Sequence, residues 1–335
     1  MCGELALGAW ALGRCTRLDR ERGKGVAVGA LRLAEYSEKG GVGKTSVTNG
    51  LAAVAGDRGM RVLVIDLDSR ATASKELGVP IPEIGDPEIF TLNDLLYVNP
   101  GDDDPLDPTD AIADTIHPAG ESWPSTVRVL PGERKLANRE ADSGPIEMRL
   151  RQGLRAVAGE FDVILFDLPP RPSGKLVTAG LAAAEGEDGG GGVLIPATLT
   201  TDGLDGVTQA LRTVKQMRQG YSPTLSVAGI VRSIVPRDRE LRAIHREFDR
   251  QLFERVDPKL GPWGEMVLGE PLPAVASSSG EADADVRYLV RQYAIREEAR
   301  FAQVPITSAP GREAKRLVAT YGEILDLLLK RKENR

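Results

Sequence analysis

The stretch from Glu38 to Ser46, EKGGVGKTS, constrains this chain more than any other part of it. Gly40, Gly41 and Gly43 allow a turn whose backbone takes conformations closed to other residues. Ahead of the turn, ALRLAEYS (Ala30–Ser37) reads as a strand. Behind it, VTNGLAAVAGDRG reads as a helix that stops near Gly59. A strand feeding a glycine turn that opens a helix aims several backbone N–H groups, and the positive end of the helix dipole, at one spot. That spot suits a phosphate, and Lys44-Thr45 at the join add a cation and a hydroxyl. The spacing fits the phosphate-loop pattern G-x-x-x-x-G-K-[ST] except at its first position, which is Glu38. The expected cradle is Lys39, Gly40, Gly41, Val42, Gly43, Lys44, Thr45 and Ser46. Lys44 would reach the terminal phosphates, and the Thr45 hydroxyl would sit on Mg2+.

Acids stand where such a cradle needs them. RVLVIDLD (Arg61–Asp68) and FDVILFDLPP (Phe161–Pro170) are apolar runs of the kind buried on both faces of a parallel sheet. Their carboxyl ends supply Asp66, Asp68 and Asp167, which with Thr45 form the candidate metal set, since Mg2+ takes oxygen ligands. In an open parallel sheet these ends gather at one edge, where ligands bind. VRVLPG, GVLIPA and LSVAGIVRSIV continue as strands, and Phe301–Ile306 reads as the last one. TLNDLL (Thr91–Leu96) opens a short helix. EMRLRQGLRAVAGE, Gly203–Gln219, Arg237–Val256 and Glu313–Lys332 read as longer helices. The alternation predicts an α/β fold: a mostly parallel twisted sheet with helices on both faces.

The 335 residues are 41% hydrophobic but only 4% aromatic, so aliphatic side chains must build the core. Net charge is −6, unevenly spread: residues 76–127 hold no Lys or Arg and twelve acids, which leaves the remainder net positive. An acidic total therefore does not exclude a nucleic-acid partner. Cys2 and Cys15 both precede the glycine turn, which argues against a disulfide framework or a zinc site. Residues 1–24 read as a disordered tail. Residues 25–335 read as a single P-loop domain with an acidic insertion near 98–124, a flexible linker at Glu185–Gly192 and a surface loop near 274–286.

KGGVGKT, VLVIDLD and VILFDLPP resemble the three signatures of the ParA/MinD family of deviant Walker A ATPases, over roughly Leu31 to Thr200. The resemblance implies a P-loop fold that binds ATP and Mg2+ and forms a homodimer in the ATP state. Lys39 would cross into the partner's pocket, where a cation offsets charge on the γ-phosphoryl group. Lys39, Lys44 and Asp68 would be the catalytic residues, with Asp68 polarising the attacking water. Asp167 would hold the metal's water shell, and Asp66 would support the site. Where the family usually carries Pro-Gln after the second acid, this chain has Ser69-Arg70. That departure keeps the acid and leaves the behaviour of the following switch open. Arg171 and Lys175 read as solvated, or as contacts to nucleotide or partner.

Branches of the family separate on residues. The absence of cysteines after the glycine turn excludes the iron–sulfur branches, and scattered tyrosines exclude the tyrosine-kinase branch. The last helix carries an apolar stripe (Leu317, Val318, Tyr321, Ile324, Leu325, Leu328). Glu323 and Asp326 suit a helix docked on the sheet better than one on anionic lipid, so a membrane is not the expected partner. The ParA branch coats DNA without reading sequence, which needs exposed cations. Arg239, Arg242, Arg246 and Arg250 are the candidate DNA-binding stripe, opposite Leu241, Ile244, Phe248 and Leu252 on a helical wheel. Arg212, Lys215 and Arg218 offer a rival patch. The expected function is a short-form partition ATPase without a preceding helix-turn-helix. It would be cytoplasmic and nucleoid-associated, bind non-specific DNA and answer to a ParB-like centromere-binding protein. A nucleotide-gated scaffold with little turnover and a MinD-like membrane cycler are the alternatives.

Overall fold

The computed structural model describes residues 29–81, 89–98, 106–142, 145–185, 191–237, 240–257, 261–273 and 287–333. The expectations for residues 1–24, for most of the linker after Glu185 and for the loop near 274–286 lie largely outside them. Among the described residues the strands are β1 (Leu31–Glu35), β2 (Val62–Asp66), β3 (His117–Pro118), β4 (Val127–Leu130), β5 (Val163–Asp167), β6 (Gly191–Ala197), β7 (Ser226–Val235), β8 (Val256–Asp257), β9 (Gly261–Pro262) and β10 (Val290–Arg291). The main sheet runs β10-β7-β6-β1-β5-β2-β4-β3. It is parallel throughout except where β3 turns back along β4. β2 and β5 are buried along their whole length, as their unbroken apolar sequences require.

The helices are α1 (Lys44–Asp57), α2 (Thr72–Glu76), α3 (Leu92–Leu96), α4 (Pro108–Ala111), α5 (Ile146–Val157), α6 (Lys175–Ala184), α7 (Thr201–Gly220), α8 (Ala243–Glu254), α9 (Trp263–Met266), α10 (Ala294–Phe301) and α11 (Arg312–Glu333). They cover both faces of the sheet. One core packs residues such as Ile65, Phe166 and Ile195 against α5, α6 and α7. The other packs Leu33, Val64 and Leu165 against α1 and α11. The apolar stripe of α11 is spent there: Leu317, Tyr321, Ile324, Leu325 and Leu328 are all buried. A Cβ on Gly50 would lie 2.4 Å from the Tyr321 ring, so glycine is what lets α1 and α11 approach. Arg58 pairs with Asp326 across the same contact. Among the described residues no helix is long and apolar enough to cross a membrane.

Part of the acidic segment is folded onto the domain. Asp107 caps α4 by accepting from Thr109 N at 2.8 Å, and α4 leads into a turn whose Ile112 is fully buried. TLNDLL forms α3 with Thr91 and Asp94 as a reciprocal capping pair.

Three expectations are corrected. Phe301–Ile306 is not a strand: α10 ends at Phe301, Gln303 takes a left-handed φ of 55°, and Ile306 opens a short 3-10 turn. Val304 N closes the helix by donating to Ala299 O at 3.0 Å, and the sheet edge is instead the short β10. Glu185 does not belong to a flexible linker. It is buried, pairs with Arg151 at 3.0 Å and accepts from Thr224, while Gly191 and Gly192 already lie in β6. The helix expected over Arg237–Val256 starts only at Ala243, with consequences for the arginine stripe.

Candidate active site

Parallel registry puts three carboxylates in a row. Glu35 of β1 stands beside Asp167 of β5, and Asp167 beside Asp66 of β2. Neighbouring strands lie about 4.8 Å apart, so the three acids repel one another at the carboxyl edge of the sheet. The glycine loop leaves β1 directly above them.

Gly41 and Gly43 have φ values of 73° and 89°, the left-handed region that side chains resist. Glu38 does not share that conformation among the described residues, so the loop does not need a glycine there. Its carboxylate instead accepts from the Thr213 hydroxyl of α7 at 3.2 Å and moors the loop to that helix. Val42 O accepts from the Ser233 hydroxyl at 2.5 Å, a second mooring on β7 that no spacing in the sequence announces.

Lys44 is buried, and its Nζ donates across the loop to Ser37 O and Lys39 O, both at 3.1 Å. Burial lowers its pKa, Asp167 and Asp68 oppose that shift, and Arg70 adds to it. Lys39 leaves the loop in another direction. Its stem lies along α7, 3.2 Å from where a Gly206 side chain would begin, and its Nζ sits 3.7 Å from Asp202. The two lysines thus have separate places: one inside the cradle, one outside on α7.

Thr45 donates to Asp167 Oδ2 at 2.7 Å, while Asp167 Oδ1 is buried without a partner. Burial raises the Asp167 pKa well above 3.8, and Asp66 adds to the shift. A hydroxyl facing a carboxylate with an unmatched oxygen fits a hydrated magnesium ion. Asp66, the third acid of the expected metal set, is bonded to the turn after β2. Its Oδ2 accepts from Ser74 N at 2.9 Å and Ser74 Oγ at 2.7 Å, and its Oδ1 from Asp68 N at 3.1 Å. Those bonds hold the turn after β2 in place. Burial still pushes its pKa up to about 6. Asp68 is bound by Arg70, whose Nη2 lies 2.6 Å from Asp68 Oδ2.

Glu35 is the acid that sequence patterning missed. It is fully buried, neither oxygen has a hydrogen-bond partner, and burial then Asp167 push its pKa well above 4.5. The nearby Thr48 hydroxyl gives its proton to Lys44 O at 3.2 Å. A carboxyl whose folded pKa is raised binds its proton more tightly folded than unfolded. Its cost is therefore absent below the unfolded pKa, grows as pH rises, and is complete above the folded pKa. Glu35→Met should stabilise the nucleotide-free protein by about 2 kcal/mol near pH 8, with the gain shrinking towards about pH 4. Urea denaturation across that range checks it, and a gain independent of pH would refute the cause given.

The remaining candidates are scattered. Arg171 pairs with Glu140 at 2.6 Å, and Lys175 Nζ donates to Asp142 O at 2.5 Å, so both fasten the start of α6 to the segment that precedes α5. The expected arginine stripe is not one surface. Arg246 is buried and donates to Pro273 O at 2.9 Å, while Arg242 and Arg250 are exposed, Arg250 being clasped by Glu247 and Glu254. Arg239 lies outside the described residues. The wheel fails because α8 begins at Ala243 and turns Asp249 and Arg246 inward, where Asp249 meets the buried Arg232 at 3.0 Å and Ile244 is left 52% exposed. On α7, Arg212 and Arg218 are exposed and Lys215 half-buried.

A cradle of this kind at a parallel-sheet edge invites comparison with known proteins. A family model described as an AAA domain matches residues 32–227. The chromosome partitioning protein ParA of Myxococcus xanthus is 30% identical over 67% of this chain and 73% of its own length. The chain belongs to the ParA family of P-loop ATPases. The chromosome-partitioning ATPase Soj of Thermus thermophilus is also 30% identical, over 68% of this chain and 81% of its own. Among solved structures, cobyrinic acid a,c-diamide synthase from Mycobacterium smegmatis, with a bound ATP analogue and magnesium, superposes with a TM-score of 0.55 at 26% identity. That match covers 81% of this chain and 93% of the other. The ParA-family membership agrees with the strand–loop–helix start and with the acids at the ends of β2 and β5.

Proposed function

We propose that the chain is a partition ATPase that closes into a homodimer over two Mg2+·ATP and holds non-specific DNA in that state. It would release the DNA when a ParB-like centromere-binding partner triggers hydrolysis. The observation that carries the reading is the division between the two lysines. Lys44 is built into the cradle, whereas Lys39 lies outside it on α7, available to a facing subunit. The 30% identity to partitioning proteins gives the reading its cargo.

In this reading the loop N–H groups and Lys44 hold the phosphates, and Lys39 reaches the partner's γ-phosphoryl group. Thr45 and Asp167 hold a magnesium ion, which when bound offsets the phosphate charge. Asp66 fixes the turn that carries Asp68, and Asp68 orients the attacking water. The stronger candidates for DNA contact are Arg212, Lys215 and Arg218. No ion pair ties them down among the described residues, and their spacing sets them along one side of α7. The cell interior and the nucleoid are the proposed location.

The test uses a non-cleavable ATP mimic with Mg2+. The expected results are a dimer by sedimentation, retention on DNA of arbitrary sequence, and phosphate release from ATP that rises with DNA and partner. Replacing Arg212, Lys215 and Arg218 together by alanine should lower the slope of log affinity against log salt by about 3. A protein that stays monomeric when saturated with the mimic refutes the sandwich. Dimerisation without any turnover would point to the scaffold alternative, and ATP-dependent sedimentation with liposomes to the membrane cycler.

A further inference from the structure

Arg70 stands where the resemblance leads one to expect glutamine, and the structure gives it a definite position. Its backbone N donates to Asp68 Oδ1 at 3.0 Å, its Nε lies 3.1 Å from Oδ2, and its Nη2 lies 2.6 Å from the same oxygen. The turn that brings it there is stiff. Ala71 takes a left-handed φ of 52° and its N donates to Asp68 O at 2.8 Å. The Arg70 side chain is 67% exposed against 9% for Asp68, so the guanidinium covers the carboxylate from the solvent side of the site.

We infer that Arg70 is a further catalytic residue of the site, an in-chain cation that moves from Asp68 to the γ-phosphoryl group when ATP binds. The inference rests on the ATPase reading above. Asp68 must face the terminal phosphate to act on water, yet a carboxylate and a phosphate side by side repel. A guanidinium has donors enough to join both anions, and it forms planar paired bonds with either. Arg70 is also close enough to Lys44 to depress its pKa, which places its charge beside the lysine of the cradle. Its present bonds to Asp68 occupy the oxygens that would receive a water's proton. Transfer of Arg70 to phosphate therefore frees the acid at the moment a γ-phosphate is present. An ADP-bound site offers no such target and leaves Asp68 covered.

The experiment compares affinities for ADP and for a non-cleavable ATP mimic by calorimetry, with phosphate release measured alongside. Arg70→Gln should leave ADP affinity within about twofold while weakening the mimic about 10-fold. It should slow phosphate release about 100-fold, with Arg70→Lys intermediate. A purely structural role would move both affinities together. An unchanged ratio of mimic to ADP affinity in Arg70→Gln overturns the inference. Faster release does so as well, since it would mean that Arg70 only restrains Asp68. Either result leaves the ATPase reading intact as long as Lys44→Ala weakens binding of both nucleotides about 1,000-fold. A wild-type protein that binds neither would remove the reading itself.

Discussion

Lys39→Ala will bind ATP as the wild type does and hydrolyse it about 1,000-fold more slowly, the scale set by cations supplied to a transferring phosphoryl group. Binding survives because the cradle uses only the backbone of residue 39: Lys44 Nζ donates to the Lys39 carbonyl, which alanine keeps. Among the described residues the Lys39 ammonium is engaged only with Asp202 at 3.7 Å, and that pair is exposed, 38% on one side chain and 84% on the other. Exposed pairs of this sort contribute about 0.2–1 kcal/mol. Lys39 is therefore held outside the cradle by a weak contact, which in the proposed dimer a triphosphate of the facing subunit would outcompete. Gly206 gives the lysine stem room to lie on α7, so the same helix parks the residue and frees it. Calorimetry with the ATP mimic and a phosphate-release assay measure the two halves of the prediction. Hydrolysis at the wild-type rate in Lys39→Ala would show that no cation crosses between subunits.

The parts of this site legible in the sequence are those where the backbone dictates residue type. Gly41 and Gly43 must be glycine because of their φ, and that requirement alone marks the loop. Asp66 and Asp167 were legible because long apolar runs such as VLVID and VILFD can only be interior parallel strands, whose last residues meet at one edge. Glu35 ends its strand in the same way, but ALRLAEYS runs on to Ser37 before the glycines, so the pattern does not mark Glu35 as the last residue of β1. Ser74 and Asp202 could not be found by spacing. Each meets its partner only through the turn after β2 or the start of α7. The α8 stripe misled for a related reason. A helical wheel assigns faces from apolar residues, but Asp249 is drawn inward by Arg232, a buried cation on a distant strand, and the helix rotates to serve it. Phe301–Ile306 failed through local chemistry, where Pro305 and a left-handed Gln303 break what hydrophobic content alone would make a strand.

Lys44→Ala has the opposite signature to Lys39→Ala: nucleotide binding itself will fall, by about 3–5 kcal/mol or about 1,000-fold, the scale of removing one partner from a buried charge pair. The fold should not suffer comparably. In the nucleotide-free protein Lys44 makes two bonds to carbonyls of its own loop, and burial depresses its pKa, so its charge is itself an expense of folding. Removing it also takes away a cation that now lowers the pKa of Asp167, so that carboxyl will hold its proton to a higher pH in the variant. Residual nucleotide binding in Lys44→Ala should accordingly improve as pH rises and Asp167 ionises to meet magnesium. Titration of the ATP mimic at several pH values, with a urea denaturation at each, separates these effects. If stability collapses together with affinity, Lys44 is a structural bolt of the loop. If both are unchanged, the cradle is not where the phosphates bind.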